Sequence, residues 1–386
     1  MLRILKPYIE NHGSKSRCCC DIQIDGETRT VWFETDRQFE QFFCTDRVDA
    51  YVVGLLSFAM REGHDILSEV PVTDELLYNI RTILIPSLCN HSGRLKRIHV
   101  DAPMAPALIE GKEIGTGCSC GVDSFSSIVN HTNTQYKQFD LTYLAINNVG
   151  AFNECYSSYG IEKVKDERYV AARKAAEEMS YPLMETNSNF WDAFYQNHLR
   201  TNTFSSCFAI YMMQRFWKIY YLASNGIDYA GFSLEDNDLQ SSSHYDLLTL
   251  QCFSTSGLKI LCDGGEKSRL EKTIDISDYE PARKYLHVCT SKPYNCGQCP
   301  KCIRTLLTLD LIGKLDDFRL VFNVDEYVQN REKHYRWLYL QHKKHDLMQE
   351  PVYLEFNKRS DFKRTVLPEK IKYNVFKKLH LPRKWY

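Results

Sequence analysis

The sequence predicts an α/β protein built on a mostly parallel sheet, with an N-terminal α+β domain before it and a helical extension after it. Three observations lead there. From about residue 111 strand-like and helix-like segments alternate, the order that gives parallel strands covered by helices. A small-residue stretch, GTGCSCGVDS over Gly115 to Ser124, stands just before a predicted helix, Phe125 to His131. Near the C-terminal end Cys289, Cys296, Cys299 and Cys302 are spaced C-x6-C-x2-C-x2-C.

The chain has 386 residues, 44% of them hydrophobic and 25% charged, with a net charge of -1. That length allows two or three domains and a sizeable core, and the charge balance selects no class of partner. The longest apolar run, Ala50 to Met60, is too short for a bilayer. Met1 to Gly13 carries charges inside its apolar stretch and lacks a signal-peptide core. A cytoplasmic protein without a membrane partner is expected. In that compartment the 15 cysteines stay reduced, and clusters of them point to metal ligands or reactive thiols.

Residues 1–110 read as the α+β domain. Arg17 to Ile24 and Thr28 to Glu34 are strand-like, and Asp25-Gly26 between them is a hairpin signal. Cys18, Cys19 and Cys20 fall on alternating faces of the first strand, which makes a poor chelate. A helix runs from Val48 to Met60 and ends near Gly63. Asp74 caps a second one, Glu75 to Ile85, which Pro86 stops. Ile98 to Val100 is a short strand. These strands are expected to form their own small sheet, outside the main one.

Residues 111–310 carry the alternation. The predicted strands are Leu141 to Asn147, Leu183 to Thr186, Tyr229 to Ser233 and Gly257 to Cys262. The predicted helices are Asp166 to Met179 and Ser205 to Ala223, the latter ended by Gly226. In such sheets a ligand lies beyond the carboxyl ends of the strands. The stretch after Ile114 suits a phosphate there. Small residues let backbone N–H groups approach an anion, and the helix that follows points its partial positive charge at it. Asp123 or Ser124 can cap that helix. No lysine follows the glycines, so the loop is not a Walker-type one. The acidic run Leu234 to Asp238 places Glu235 and Asp236 where carboxylates can hold Mg²⁺. Arg269 and Lys272 can stabilise phosphoryl charge, or pair ions on a helix surface. The four cysteines can converge on one tetrahedral Zn²⁺, or on an iron–sulfur cluster. With four thiolates and no open position, such a zinc would be structural.

The segment Ser119, Cys120, Gly121, Val122, Asp123, Ser124 resembles the S-G-G-x-D-S loop of the PP-loop ATP pyrophosphatases, with Cys120 in place of the first glycine. The cysteines follow roughly 165 residues later. The two together resemble the 7-cyano-7-deazaguanine synthases, the nitrile-forming branch of that superfamily. Ala230 to Asp236 and Arg269-Leu270-Glu271 echo the same branch. The resemblance covers residues 111–310 and implies a sheet of the HUP/PP-loop type with a structural zinc site. It implies ATP and Mg²⁺ as further cofactors, cleavage of ATP to AMP and pyrophosphate, and a carboxylate or amide oxygen as acceptor, attacked next by a nitrogen nucleophile. Residues Ser119 to Ser124 would hold the nucleotide with Glu235 and Asp236. Asp123, Ser124 and Arg269 would be catalytic. The acceptor would be a small molecule or one borne on a protein. Two rival readings are sulfur transfer to tRNA, using Cys118 or Cys120, and a non-catalytic nucleotide-binding partner in a larger assembly.

Residues 311–386 form the extension. Asp325 to His345 is helical, aromatic and basic. Tyr353 to Tyr386 holds ten Lys/Arg against three Asp/Glu, with aromatics interleaved. Such a tail suits a docked surface segment, or nucleic acid or an acidic partner.

Overall fold

A computed structural model describes residues 1–152, 160–194, 197–224, 229–236, 239 and 241–378. Asn237 and Asp238 of the acidic run, Gly226 and the chain end from 379 lie outside them. The chain divides into two compact units. Met1–Ser119 with Ser127–Glu266 makes the first, and Cys120–Ser126 with Lys267–Tyr386 makes the second.

The first unit is α/β and holds one large mixed sheet. Its strands are β1 (Leu2–Ile4), β2 (Tyr8–His12), β3 (Lys15–Ile24), β4 (Glu27–Asp36), β5 (Ile66–Ser68), β7 (Val100–Asp101), β9 (Glu113–Gly117), β10 (Tyr143–Asn148), β11 (Leu183–Ser188), β12 (Trp217–Ala223) and β13 (Lys259–Asp263). A separate pair is formed by β6 (Val72–Thr73) and β8 (Met104–Ala105). The large sheet runs β13-β12-β9-β10-β11-β4-β3-β1-β5-β7, with β2 also on β3. Its first five strands are all parallel. The chain leaves β9 for β10 and β11 on one side, then returns to β12 and β13 on the other. The strand order therefore reverses at β9, which makes its carboxyl end a topological switch point.

The N-terminal strands belong to this same sheet, which corrects the expectation that they stay apart. β4 lies antiparallel to β11, with Thr35 opposite Thr186 and Phe33 opposite Ser188. Side chains close the seam: Ser188 Oγ donates to Trp32 O at 2.6 Å, and Trp32 N donates to Asn189 Oδ1 at 2.8 Å. Without β4 the outer edge of β11 would present unpaired N–H and C=O groups. β3 and β4 form the expected hairpin, closed by Asp25 and Gly26 at φ 51° and 85°, the backbone of a two-residue primed turn. Cys18, Cys19 and Cys20 are buried strand residues of β3.

One core serves the unit. The helix Asp49–Glu62 packs on the helix His198–Met212. Phe208 stacks on Phe190 at 4.5 Å and meets Phe33 and Tyr51 edge-on at 6.1 and 5.7 Å. Gly54 permits this approach, since a Cβ there would lie 2.9 Å from the Phe190 ring. Gly63 ends the first of these helices in the left-handed region, at φ 81°, as a glycine after a helix does.

Three local expectations are corrected. The helix expected over Ser205 to Ala223 stops at Met212, and Trp217–Ala223 is β12. Its aromatic and β-branched residues suit a strand. Buried on both faces in the parallel block, the strand reads as a continuous apolar run, which periodicity does not separate from a helix. Pro86 does not stop the second helix. Asp74–Asn79 passes through a π turn, Ile80–Leu84, into Ile85–His91. Pro86 falls in the first turn of that last segment, where its missing N–H leaves no bond unmade. Tyr229–Gly231 is a 3₁₀ turn rather than a strand.

The second unit is helical. Arg269–Asp275, Glu280–Tyr285, Pro300–Leu311, Val324–Gln329, Arg331–Lys343, Glu350–Phe356 and Ser360–Lys378 are its main elements. The aromatics of the extension are its core: Tyr335, Tyr353, Phe356 and Phe362 are buried and touch one another. Asp310 is buried among them, with Arg331 at 3.1 Å and the Tyr327 hydroxyl at 2.9 Å. No described helix is long and apolar enough to cross a membrane.

Candidate functional site

The small-residue stretch begins as strand. Gly115 and Gly117 lie in β9, and a Cβ on Gly115 would come within 2.4 Å of the Trp217 ring. Gly115 therefore serves packing on β12. The loop itself is Cys118 to Gly121, at the switch point, and the helix Val122–Asn130 starts directly after it. Cys118 N donates to Ala145 O at 2.7 Å, and Arg168 Nη2 donates to Ser119 O at 2.5 Å. Phe125 N donates to Gly121 O, so Gly121 occupies the N-cap position, with Val122, Asp123 and Ser124 in the first turn.

Cys120 is held at φ 56° and is fully buried. This left-handed backbone is the one glycine takes without penalty and an L residue takes rarely. Its carbonyl accepts from His287 N at 2.8 Å.

Asp123 meets two cations. Arg269 Nη2 lies 2.8 Å from Oδ2, and Lys272 Nζ 3.3 Å from Oδ1. Both bases stand on the helix Arg269–Asp275, three residues apart and so on one face. That helix opens with a capping box. Ser268 Oγ accepts from Glu271 N, and Glu271 Oε2 accepts from Ser268 N at 2.7 Å. Glu271 is thus a capping residue, and Lys272 is only 1% exposed.

A third base was not legible in the sequence. Arg304 stands on Pro300–Leu311, a helix packed against Arg269–Asp275. It is 4% exposed, its Nε has no hydrogen-bond partner, and it makes no salt bridge among the described residues. Burial lowers its pKa to about 10, and the charge of Arg269 pushes the same way. Arg269 Nε is likewise buried without a partner. Only its place, two residues after the last cysteine in an apolar helix, hinted at Arg304.

The acidic run is arranged differently. Asp236 accepts from Ser92 Oγ at 2.9 Å and lies 3.8 Å from Arg94 Nε. Glu235 is exposed. Asp236 is committed to the helix-end loop around Ser92, while Glu235 faces solvent.

Cys289, Cys296, Cys299 and Cys302 come together, their sulfurs all within 4.8 Å of one another. Cys299 and Cys289 are 3.9 Å apart, and Cys296 and Cys302 4.0 Å. Four ligands about 2.3 Å from a tetrahedral ion stand about 3.8 Å apart, so the cluster could hold a metal such as zinc. Local structure explains the convergence. Gly297, at φ 69°, turns the chain after Cys296. Pro300 starts the helix, and Cys299 Sγ accepts from Cys302 N at its N-cap. Asn295 pins the turn from inside: Oδ1 accepts from Val288 N, and Nδ2 donates to Leu286 O and Val321 O. Spacing alone does not reveal that role. Hydrogen bonds from Cys299 and Cys302 hold the Cys289 thiol far below its usual range, and Cys302 is pushed up in return.

No family model matches the chain, and neither does any characterised protein or solved structure. The reading of the site rests on its own geometry: a loop at a switch point, an aspartate between buried cations, and a four-sulfur cluster.

Proposed function

We propose that the protein is an ATP-dependent adenylating enzyme of the PP-loop type, with a structural zinc ion on its four cysteines. ATP would be split to AMP and pyrophosphate, the AMP passing to a carboxylate or amide oxygen that a nitrogen nucleophile then attacks. One observation carries the reading. The loop Ser119 to Ser124 follows the strand at which the sheet order reverses, and Cys120, where the resembling pattern has its first glycine, holds φ 56°, a backbone that glycine takes without penalty. Ligands of parallel α/β sheets bind at such a point. Arg269 and Lys272 would stabilise the charge growing on the leaving group, and Asp123 fixes their positions.

Sulfur transfer draws less support, because reactive thiols are accessible while Cys118 and Cys120 are fully buried. Nucleic-acid binding by the extension also draws less, since Tyr335, Tyr339, Tyr353, Phe356 and Phe362, which could stack on bases, are buried in its own core. The test is thin-layer chromatography of α-labelled ATP incubated with the protein and candidate acceptors. AMP is the expected labelled product. ADP as the main product refutes the assignment, and tight ATP binding without any cleavage favours a non-catalytic role.

A further inference from the structure

We propose that Arg304 joins Arg269 and Lys272 in an anion site that takes inorganic diphosphate, and that the cysteine cluster holds Arg304 in place. The diphosphate identity rests on the adenylation reading; the anion site itself does not.

A buried cation without a hydrogen-bonded counter-charge is costly, and proteins rarely keep one without a use. Here Arg269 and Lys272 meet Asp123, and Arg304 stands on the helix packed against theirs, with Lys272 at 1% and Arg304 at 4% exposure. Asp123 pairs with Arg269 and Lys272. Two guanidinium nitrogens, Nε of Arg269 and Nε of Arg304, have no acceptor. The side chains of Asp123 and Arg269 remain 18% and 11% exposed, so the group can be reached from solvent. Guanidinium forks match the oxygens of a phosphate, and two of them beside an ammonium suit a polyanion better than a monoanion.

The cluster supplies the placement. Cys299 caps the helix Pro300–Leu311 and Cys302 lies in its first turn, so an ion bound to both would fix the direction in which that helix presents Arg304. The segment before Cys289 also holds the loop, through His287 N to Cys120 O.

The test is calorimetric titration of the full-length, zinc-loaded protein with inorganic pyrophosphate, on wild type and Arg304→Met. The expected result is an affinity loss of about 10- to 100-fold, the range for a hydrogen-bonded charged contact, with zinc content unchanged. Arg304→Met should also melt higher than wild type without ligand and lose the rise in Tm that pyrophosphate gives. Arg304→Lys, which keeps the charge but not the fork, should bind with intermediate affinity, and it decides the matter if the methionine variant does not fold. Chelated protein should bind pyrophosphate as poorly as Arg304→Met. No binding by wild type overturns the proposal, as does equal affinity in the variants. Were Arg304 only a counter-ion to the cluster, its replacement would release zinc and leave pyrophosphate binding intact, which also overturns it. A protein that binds pyrophosphate through Arg304 but never cleaves ATP removes the adenylation reading and leaves this site standing. Cleavage of ATP by a protein whose pyrophosphate affinity ignores Arg304 does the reverse.

Discussion

At the scale of single residues, two positions carry strain or burial that experiments can read. Cys120 sits at φ 56° with its thiol fully buried. Left-handed backbone costs an L residue about 1 kcal/mol or more, and glycine escapes that cost. Cys120→Gly relieves it but loses a small buried group, so its unfolding free energy in urea should match wild type to within about 1 kcal/mol. Cys120→Val adds a methyl group's bulk and puts a β-branched residue where that backbone is least tolerated. It should lose about 2 kcal/mol or more, and a stable valine variant would show that the loop does not need this conformation. The second position is Asp246, buried beside the Thr203 hydroxyl that donates to it. Burial pushes its pKa up to about 7 from 3.8. The folded state therefore binds this proton more tightly than the unfolded chain. Its contribution is fully present below about pH 4 and is lost as pH rises towards 7. Asp246→Asn should remove that part of the slope. Melting curves of variant and wild type between pH 4 and 8 would check it, and a difference that stays constant across the range would show that Asp246 does not titrate there.

At the scale of elements, the signals that the sequence carried plainly were local ones. Asp25-Gly26 closes a hairpin, Gly63 ends a helix, and the cysteine spacing folds into a knuckle because Gly297 and Pro300 supply the turns. The signals that misled were those whose meaning depends on neighbours far along the chain. Trp217 to Ala223 is a strand because β9 and β13 flank it, and its apolar run alone suited a helix equally well. Pro86 is tolerated because Ile85 N–H reaches back to Ile80 O in a π turn, which no local rule anticipates. Arg304 became visible only once its helix was placed against that of Arg269. The capping box of Ser268 and Glu271 has a measurable consequence. Ser268→Ala should cost about 1 kcal/mol of stability, and it should loosen the helix that carries Arg269 and Lys272. Equilibrium urea unfolding reads the loss directly, and an unchanged midpoint would mean that packing alone sets that helix start. The cysteine element makes a second prediction. Replacing any of Cys289, Cys296, Cys299 or Cys302 with Ser should remove the bound metal and destabilise residues 267–386, because a structural ion contributes folding free energy directly. Elemental analysis finding neither zinc nor iron in protein purified without chelator would end that idea.

At the scale of the whole chain, the first unit is organised by its sheet, and the sheet ignores the change of pattern near residue 111. The sequence reads as an α+β segment followed by an alternating one, since hairpin and helix signals give way there to β-α order. Which strand lies beside which is a matter of register between distant segments, and single-sequence patterns do not carry it. β4 pairs with β11 across some 150 residues, and Thr35 Oγ1 adds a bond to Glu185 O at 3.0 Å. The helix Asp49–Glu62 buries its apolar residues against His198–Met212 in the same core. Separating the chain at residue 110 would therefore do two kinds of damage. It would strip β11 of its outer neighbour and leave an open edge, the usual start of intermolecular pairing. It would also expose Tyr51, Val52, Leu55 and Leu56 on one fragment and Phe204 and Phe208 on the other, all of them 1% exposed or less in the intact fold. Fully burying one large apolar side chain contributes about 1.5–3 kcal/mol, so the loss of several is comparable to the whole 5–15 kcal/mol that holds a typical domain together. Expressed separately, residues 1–110 and 111–386 should each be aggregated or degraded, and mixing them during refolding should restore soluble protein. Amide-dispersed NMR spectra, or a sharp melting transition, from the isolated 1–110 fragment would show instead that it folds by itself and that the β4–β11 seam is an accessory contact.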